Sequence, residues 1–225
     1  MLSPIGVIWD VDGTLVDTAA LHFDAWVRMS REMGREFTTQ DFTDTFGRRN
    51  PEIIEFLFKR PFTAAEIQEI GDRKEGYYRA EAEKGIAFLP GVRAMLDGLA
   101  ALGVPQAIGS SAPRGNVEMI LRVTGGGMFF RAMVGMEDTT RGKPHPEVFL
   151  TAAAKLGVAP GRCVVFEDAV AGVEAAKAGG MKCVGITFVG HHSAERLLAA
   201  GADRVIQSFE DITPAEVVAL AESQV

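Results

Sequence analysis

Six short apolar runs recur along the chain and restrict its fold more than any other feature: Ile5–Trp9, Pro105–Gly109, Ala132–Gly135, Cys163–Phe166, Cys183–Thr187 and Asp203–Ile206. From the second run onward, most gaps between them carry residues of helical period. Val92, Met95, Leu96 and Leu99 fall at i, i+3, i+4 and i+7; Val117, Ile120 and Leu121 repeat the pattern, as do Val148, Phe149 and Ala152 before Gly157. Strands alternating with helices make right-handed βαβ units, and hence a parallel sheet covered by helices on both faces. Strands that are apolar almost throughout fit a sheet buried on both sides. The predicted fold class is α/β.

The interval between the first and second runs breaks this rhythm. About 70 residues, Thr18 to roughly Phe88, contain helical patterns and no convincing strand. Phe23, Trp26 and Val27 mark one helix; Ile53, Ile54 and Leu57 mark another; a third runs from Ala64 toward Ala82. A crossover needs only a dozen or so residues, so an inserted helical domain is expected. Leu89-Pro90-Gly91 reads as the return hinge. The expected division is a core of 1–17 and 89–225 with an all-helical cap of 18–88.

Composition excludes some functions. The 225 residues are 47% apolar and 24% charged, ordinary for a globular chain with a sizeable core. A net charge of −7 gives no global basic field for nucleic acid or an anionic membrane. No apolar stretch is long enough to span a bilayer, and Met1-Leu2-Ser3-Pro4 leads into a strand with no basic region or cleavage signal. A cytoplasmic protein is expected, with Cys163 and Cys183 as buried thiols. A monomer is the expected state, with an oligomer left open.

Chemistry-bearing residues gather at strand ends, where open α/β sheets bind ligands. The first run ends in Asp10-Val11-Asp12-Gly13-Thr14, whose two carboxylates at i, i+2 can divide nucleophilic attack and proton transfer. Gly13 is expected to leave amide donors free for an oxyanion. A polar turn is the alternative; a calcium loop of the EF-hand type lacks its required Gly and Glu. The second run ends in Gly109-Ser110-Ser111-Ala112 before a helix, which suits either phosphate binding or a helix cap. Gly142-Lys143-Pro144-His145-Pro146-Glu147 follows the third, with the prolines expected to hold the backbone extended and present the Lys143 ammonium. His145 reads as structural or solvent-facing, and a solvated loop remains an alternative for Lys143. Glu167-Asp168 ends the fourth run, where adjacent acids are costly unless paired or metal-bound, and oxygen donors there favour Mg²⁺. Asp10, Asp168 and a phosphoryl dianion repel one another unless a divalent metal and Lys143 stand among them. The four motifs together point to phosphoryl transfer on a small phosphorylated metabolite.

The same residues resemble the haloacid dehalogenase superfamily, whose four motifs match Asp10-x-Asp12-Gly13-Thr14, Ser110, Lys143 and Glu167-Asp168 over essentially the whole chain. Asp12 places the resemblance with the phosphotransferases of that superfamily. It implies a Rossmann-like core with a helical cap, an aspartyl-phosphate on Asp10, and acid/base work by Asp12. It implies Mg²⁺ held by the Asp10 carboxylate, the Asp12 backbone carbonyl and Asp168, with Glu167 nearby or acting through water.

Within the superfamily the cap is similar to that of β-phosphoglucomutase and sugar-phosphate phosphatases. The segment Thr18-Ala19-Ala20-Leu21-His22-Phe23-Asp24-Ala25-Trp26 matches the one that opens the cap, with His22 contacting Asp12; Arg73-Lys74-Glu75-Gly76-Tyr77-Tyr78 resembles a cap helix whose lysine reaches substrate. The residues expected at the substrate are therefore Thr18, His22, Arg48, Arg49, Lys74, Ser111 and Asn116. Packing beside Trp26 is the alternative for His22, and a solvated helix face is the alternative for Lys74. Two departures favour a phosphatase over a mutase. Asn50 stands in the register of the mutase's phosphate-binding arginine, with Arg48 and Arg49 slightly early, and Ser110-Ser111-Ala112-Pro113-Arg114-Gly115-Asn116 is closer to phosphatases. A phosphatase is the leading reading, a phosphohexomutase the second, and a non-catalytic phospho-ligand sensor the third.

Overall fold

Side chains alternate across a strand, so a strand that is apolar throughout must be buried on both faces. The computed structural model, which describes residues 4–223, has this arrangement in its sheet. Of the expected lead-in, Met1-Leu2-Ser3 lies outside the described residues. The strands are β1 (Gly6–Trp9), β2 (Gln106–Gly109), β3 (Phe130–Val134), β4 (Cys163–Glu167), β5 (Lys182–Ile186) and β6 (Arg204–Ile206). They form one parallel sheet in the order β3-β2-β1-β4-β5-β6. This is the doubly wound order, with its switch point beside β1.

The helices are α1 (Ala19–Glu32), α2 (Thr39–Thr45), α3 (Asn50–Phe58), α4 (Ala64–Ala82), α5 (Val92–Ala101), α6 (Arg114–Thr124), α7 (Glu147–Leu156), α8 (Val170–Ala178), α9 (Ala194–Ala199) and α10 (Pro214–Glu222). On one face of the sheet, Val7, Trp9, Val164 and Phe166 pack with α5, α6 and α10. On the other, Ile8, Cys163, Val165 and Cys183 pack with α7, α8 and α9. The periodic residues Val92, Met95, Leu96 and Leu99 are all buried under α5. At roughly 1.5–3 kcal/mol for each large apolar side chain, the four together contribute on the order of 6–12 kcal/mol before chain entropy is subtracted.

Helices α1 to α4 lie between β1 and α5 and have an apolar cluster of their own, centred on Trp26, Met29, Phe37, Phe42, Ile54 and Leu57. The two chain crossings that lead into and out of this insertion are tied together. Val16 bridges Phe88 in antiparallel fashion, and Leu89 N donates to Leu15 O at 2.9 Å. Leu89-Pro90-Gly91 is therefore anchored to the loop that follows β1, and α5 begins directly after it.

Both cysteines are buried and unpaired. Burial pushes the Cys163 thiol up to about 11, and raises Cys183 well above its ordinary value. Neither forms much thiolate at neutral pH. A disulfide reagent at pH 8 is therefore expected to modify neither cysteine in the folded protein and both after denaturation; rapid labelling of the folded chain contradicts this packing. No helix among the described residues is long and apolar enough to cross a membrane.

Candidate active site

Strand register brings the motifs together. Trp9 pairs with Phe166 and Ile108, so Asp10, Glu167 and the Gly109-Ser110 turn leave the sheet side by side. Asp10 N donates to Phe166 O at 3.0 Å, and Ser110 N to Val134 O at 3.0 Å, which fixes both backbones at the sheet mouth. Asp10, Ser110, Lys143, Glu167 and Asp168 are all buried. The Lys143 ammonium donates to Asp10 Oδ1 at 2.6 Å and to Glu167 Oε1 at 2.6 Å. Glu167 Oε2 also accepts from Ala169 N at 2.8 Å. The fold leaves no slack around these acids. A Cβ on Gly13, whose φ is +90°, would strike the Asp168 carboxylate, and one on Gly172 would strike Glu167.

Two local expectations need correction. Gly13 N donates to Val16 O at 2.8 Å, so its own amide is committed to the loop and not free for an oxyanion. The Lys143 loop is not extended: His145 N donates to Gly142 O at 2.9 Å, closing a turn that contains a cis Lys143–Pro144 bond. The ammonium still reaches Asp10 from that turn. His145 is partly exposed and accepts from Glu147 N at 3.3 Å, the structural role expected of it.

The electrostatics indicate what this cluster can hold. Asp10, Glu167 and Asp168 each present a carboxylate oxygen within 4.8 Å of the others. Burial pushes Asp10 up to about 8; Lys143 opposes the shift, while Glu167 and Asp12 add to it. Burial also raises Asp168, with Glu167 and Asp10 adding to the shift. For Lys143, burial disfavours the charge, but Asp10 and Glu167 outweigh it and hold the proton on. With all three carboxylates ionised, they and one ammonium would carry a formal charge of −2 in a desolvated place, which a divalent cation would balance. The donors are hard oxygens, which suit such a cation.

Asp12 is the exception among the acids. Its carboxylate turns away from the trio and accepts at Oδ1 from Thr18 Oγ1 at 2.6 Å, with His22 Nε2 at 3.2 Å from the same oxygen. Among the acids named as metal ligands, its side chain is therefore not part of the cluster. Burial opposes its charge, but His22, Thr18 and Lys74 outweigh that and hold Asp12 below the usual carboxylate range.

The cap continues this chain of contacts. His22 stacks on Tyr78 with ring centroids 4.1 Å apart, and its Nδ1 lies 2.7 Å from Lys74 Nζ. Lys74 is 1% exposed, so the solvated-face alternative does not hold. Its ammonium donates to Glu75 Oε1 at 2.9 Å. Glu75 accepts further from Asn50 Nδ2 at 2.8 Å and, across the cap–core boundary, from Asn116 Nδ2 at 2.6 Å. Arg79 secures the same boundary by donating to Asn116 Oδ1 at 2.9 Å.

These elements enclose a cavity of about 60 Å³ lined on the core side by Asp10, Asp12, Ser110, Ser111 and Asp168, and on the cap side by His22, Trp26, Phe46, Arg48, Lys74 and Glu75. At ~15 Å³ per water it has room for about four waters. Three residues expected at the substrate do not line it: Arg49, Asn116, and Thr18, whose hydroxyl is committed to Asp12. Arg49 reaches sideways, its Nη2 donating to Met136 O at 3.3 Å, and Asn116 is buried behind Glu75. Arg49 and Asn116 are instead engaged across the boundary between the helical insertion and the sheet domain, with Met136 O and Glu75. Glu75, which the sequence reading assigned no role, does line it.

The profile of the haloacid dehalogenase-like hydrolases matches residues 7–186. The chain belongs to this family and is an enzyme. β-Phosphoglucomutase of Bacillus subtilis (strain 168) is 33% identical over 214 residues, covering 92% of this chain and 91% of that protein. The phosphorylated carbohydrates phosphatase of Thermotoga maritima is 31% identical over 211 residues, covering 91% and 94%. Among solved structures, a family IA, variant 3 haloacid dehalogenase hydrolase from Entamoeba histolytica has a TM-score of 0.87 at 28% identity, over 97% of this chain and 100% of that one. A phosphatase and a mutase thus stand at nearly equal identity, so the choice between them falls to the site.

Proposed function

We propose that the protein is a Mg²⁺-dependent phosphatase that hydrolyses a phosphate monoester of a sugar or related polyol through an aspartyl-phosphate on Asp10. The observation that carries this reading is the trio Asp10, Glu167 and Asp168 with Lys143 between two of its members, at the mouth of the sheet. An Asp10 oxygen attacks phosphorus and the ester P–O bond breaks. Asp12 gives a proton to the departing alkoxide, a step favoured when the substrate's dianion lies beside its carboxyl and raises its affinity for protons. Asp12 then takes a proton from the water that attacks the acyl-phosphate, releasing inorganic phosphate and restoring Asp10. Ser110 and Lys143 hold the phosphoryl oxygens. Asp10, Asp168 and Glu167 would hold Mg²⁺, which would offset the charge of the dianion during transfer.

The small cavity supports a cap of 18–88 that opens to admit substrate and closes over it, pivoting at the strap formed by Val16, Phe88 and Leu89. Hydrolysis is favoured over mutase chemistry by the fate of Asn50 and Arg49. Asn50 is bonded to Glu75 and Arg49 to Met136 O, so neither is free to grip the second phosphate that a mutase must hold.

The test is phosphate release from a panel of sugar and polyol monophosphates, with enzyme first stripped by a chelator and then given Mg²⁺. Activity is expected to vanish with the metal and return with it. Interconversion of glucose 6-phosphate and β-glucose 1-phosphate without net phosphate release assigns the mutase reaction instead, and metal-independent turnover overturns the role given to the trio.

A further inference from the structure

We infer that Glu75 is a specificity-determining residue: it accepts a hydrogen bond from a hydroxyl on the uncharged polyhydroxy part of a monophosphate and excludes substrates that carry a second anionic group. The inference rests on the phosphatase reading and adds a restriction that reading does not contain.

Three observations lead to it. First, Glu75 lines the cavity although it is almost fully buried, and its position is fixed from both sides, by Lys74 and Asn50 in the cap and by Asn116 in the core. Second, the acceptor count leaves room for a ligand. A carboxylate has about four acceptor sites. Lys74 and Asn50 take two on Oε1 and Asn116 one on Oε2, so one site on Oε2 has no partner among the described residues. A donor fits there, and an anion does not. Third, the cap cation nearest Glu75 is already paired, which leaves Arg48 as the cap's other cation on the cavity. Lys74, the cation best placed for a second phosphate, lies 2.9 Å from Glu75 and is neutralised by it. Arg48 stands at the edge, also lines the neighbouring groove, and has its guanidinium 5.9 Å from the Phe56 ring.

The carboxyl remains charged in this setting. Burial works against ionisation, but Lys74, His22 and Asn116 more than offset it and bring Glu75 down to about 2. At neutral pH a substrate with phosphate at both ends would therefore press its distal dianion against a desolvated carboxylate, a like-charge contact that discriminates strongly. A sugar or sugar-alcohol hydroxyl at the same place donates a charge-assisted hydrogen bond.

The experiment compares glucose 6-phosphate with glucose 1,6-bisphosphate, which differ only in the second phosphate. The native enzyme is expected to favour the monophosphate by at least tenfold in kcat/KM. Glu75→Gln keeps the side-chain volume and frees the Lys74 charge, and is expected to shift that ratio toward the bisphosphate by tenfold or more. A ratio is insensitive to a general loss of active enzyme. The same pair is measured by calorimetry in Asp10→Asn and in Asp10→Asn with Glu75→Gln, so that binding is read even where turnover is low or the native reaction is not hydrolysis. Equal handling of the two ligands by native enzyme, or an unchanged ratio after Glu75→Gln by both turnover and binding, overturns the inference. Absence of phosphate release together with preserved discrimination in binding overturns the phosphatase reading alone.

Discussion

Replacing Asp10 by Asn is expected to remove turnover, by at least ~10⁴-fold, while the protein stays folded. A neutral amide cannot attack phosphorus to form an acyl-phosphate, so loss of the nucleophile removes the pathway rather than slowing it. The substitution also tests the electrostatics of the cluster. Asp10 is raised from 3.8 to about 8, so between those pH values the folded metal-free protein binds a proton at this site that the unfolded chain does not. Its contribution to stability therefore falls as pH rises through that window. Asp10→Asn removes the ionisable group and with it this loss. In chelator, the variant is expected to gain thermal stability over the native protein, by more at pH 7.5 than at pH 5. Added Mg²⁺ should narrow the gap by stabilising the native cluster. Substantial residual turnover makes Asp10 a metal ligand only, and a gain independent of pH places the strain elsewhere.

How much of the fold could be read from the sequence depended on burial. The central strands were legible because both faces are covered, which leaves an unbroken apolar run bounded by Gly, Pro or a charge. Edge strand β3 was placed two residues late at its start. Its first residues, Phe130-Arg131-Ala132, are partly open to solvent, and exposed Arg131 interrupts the run that marked the other strands. Helix α2 escaped notice for a similar reason. Its seven residues bury only Phe42 and Thr45, and its stability comes from a capping box between Thr38 and Asp41.

The chemistry at the sheet mouth was legible because strand ends are fixed by the sheet, so residues far apart in sequence reach one place by a rule. The cap offered no such rule. Gly71, Lys74, Glu75, Tyr78 and Ala82 are spaced as an inward-facing helix stripe and all are buried. Two charges in that stripe were the available sign that the helix buries a polar network, and the sign is weak because charged residues ordinarily indicate the solvent side. The partners of Glu75 lie 25 and 41 residues away, at Asn50 and Asn116. Arg49 finds Met136 87 residues away. Local pattern carries no information about contacts at such separations, so sequence alone points Arg49 and Asn116 toward substrate and gives no sign of the role of Glu75.

Asp12→Ala addresses the step that the geometry constrains most tightly. Positioned proton transfer is typically worth about 10²–10⁴-fold, and kcat on a sugar phosphate is expected to fall by that order. The Asp12 carboxylate points to Thr18 and His22 rather than to the acidic trio, so Mg²⁺ affinity, measured by calorimetry, should survive. Leaving groups separate the two tasks assigned to Asp12. A sugar alkoxide needs a proton as it departs, whereas p-nitrophenolate leaves unaided. With p-nitrophenyl phosphate, the first transfer should therefore persist while the second, which requires an activated water, stalls. The expected signature is a burst of about one equivalent of p-nitrophenol followed by a slow steady state, with phosphate retained on the protein. Loss of Mg²⁺ affinity makes the Asp12 side chain a ligand and removes its acid/base assignment. Equal slowing of both phases leaves Asp12 only a structural anchor for His22 and Lys74.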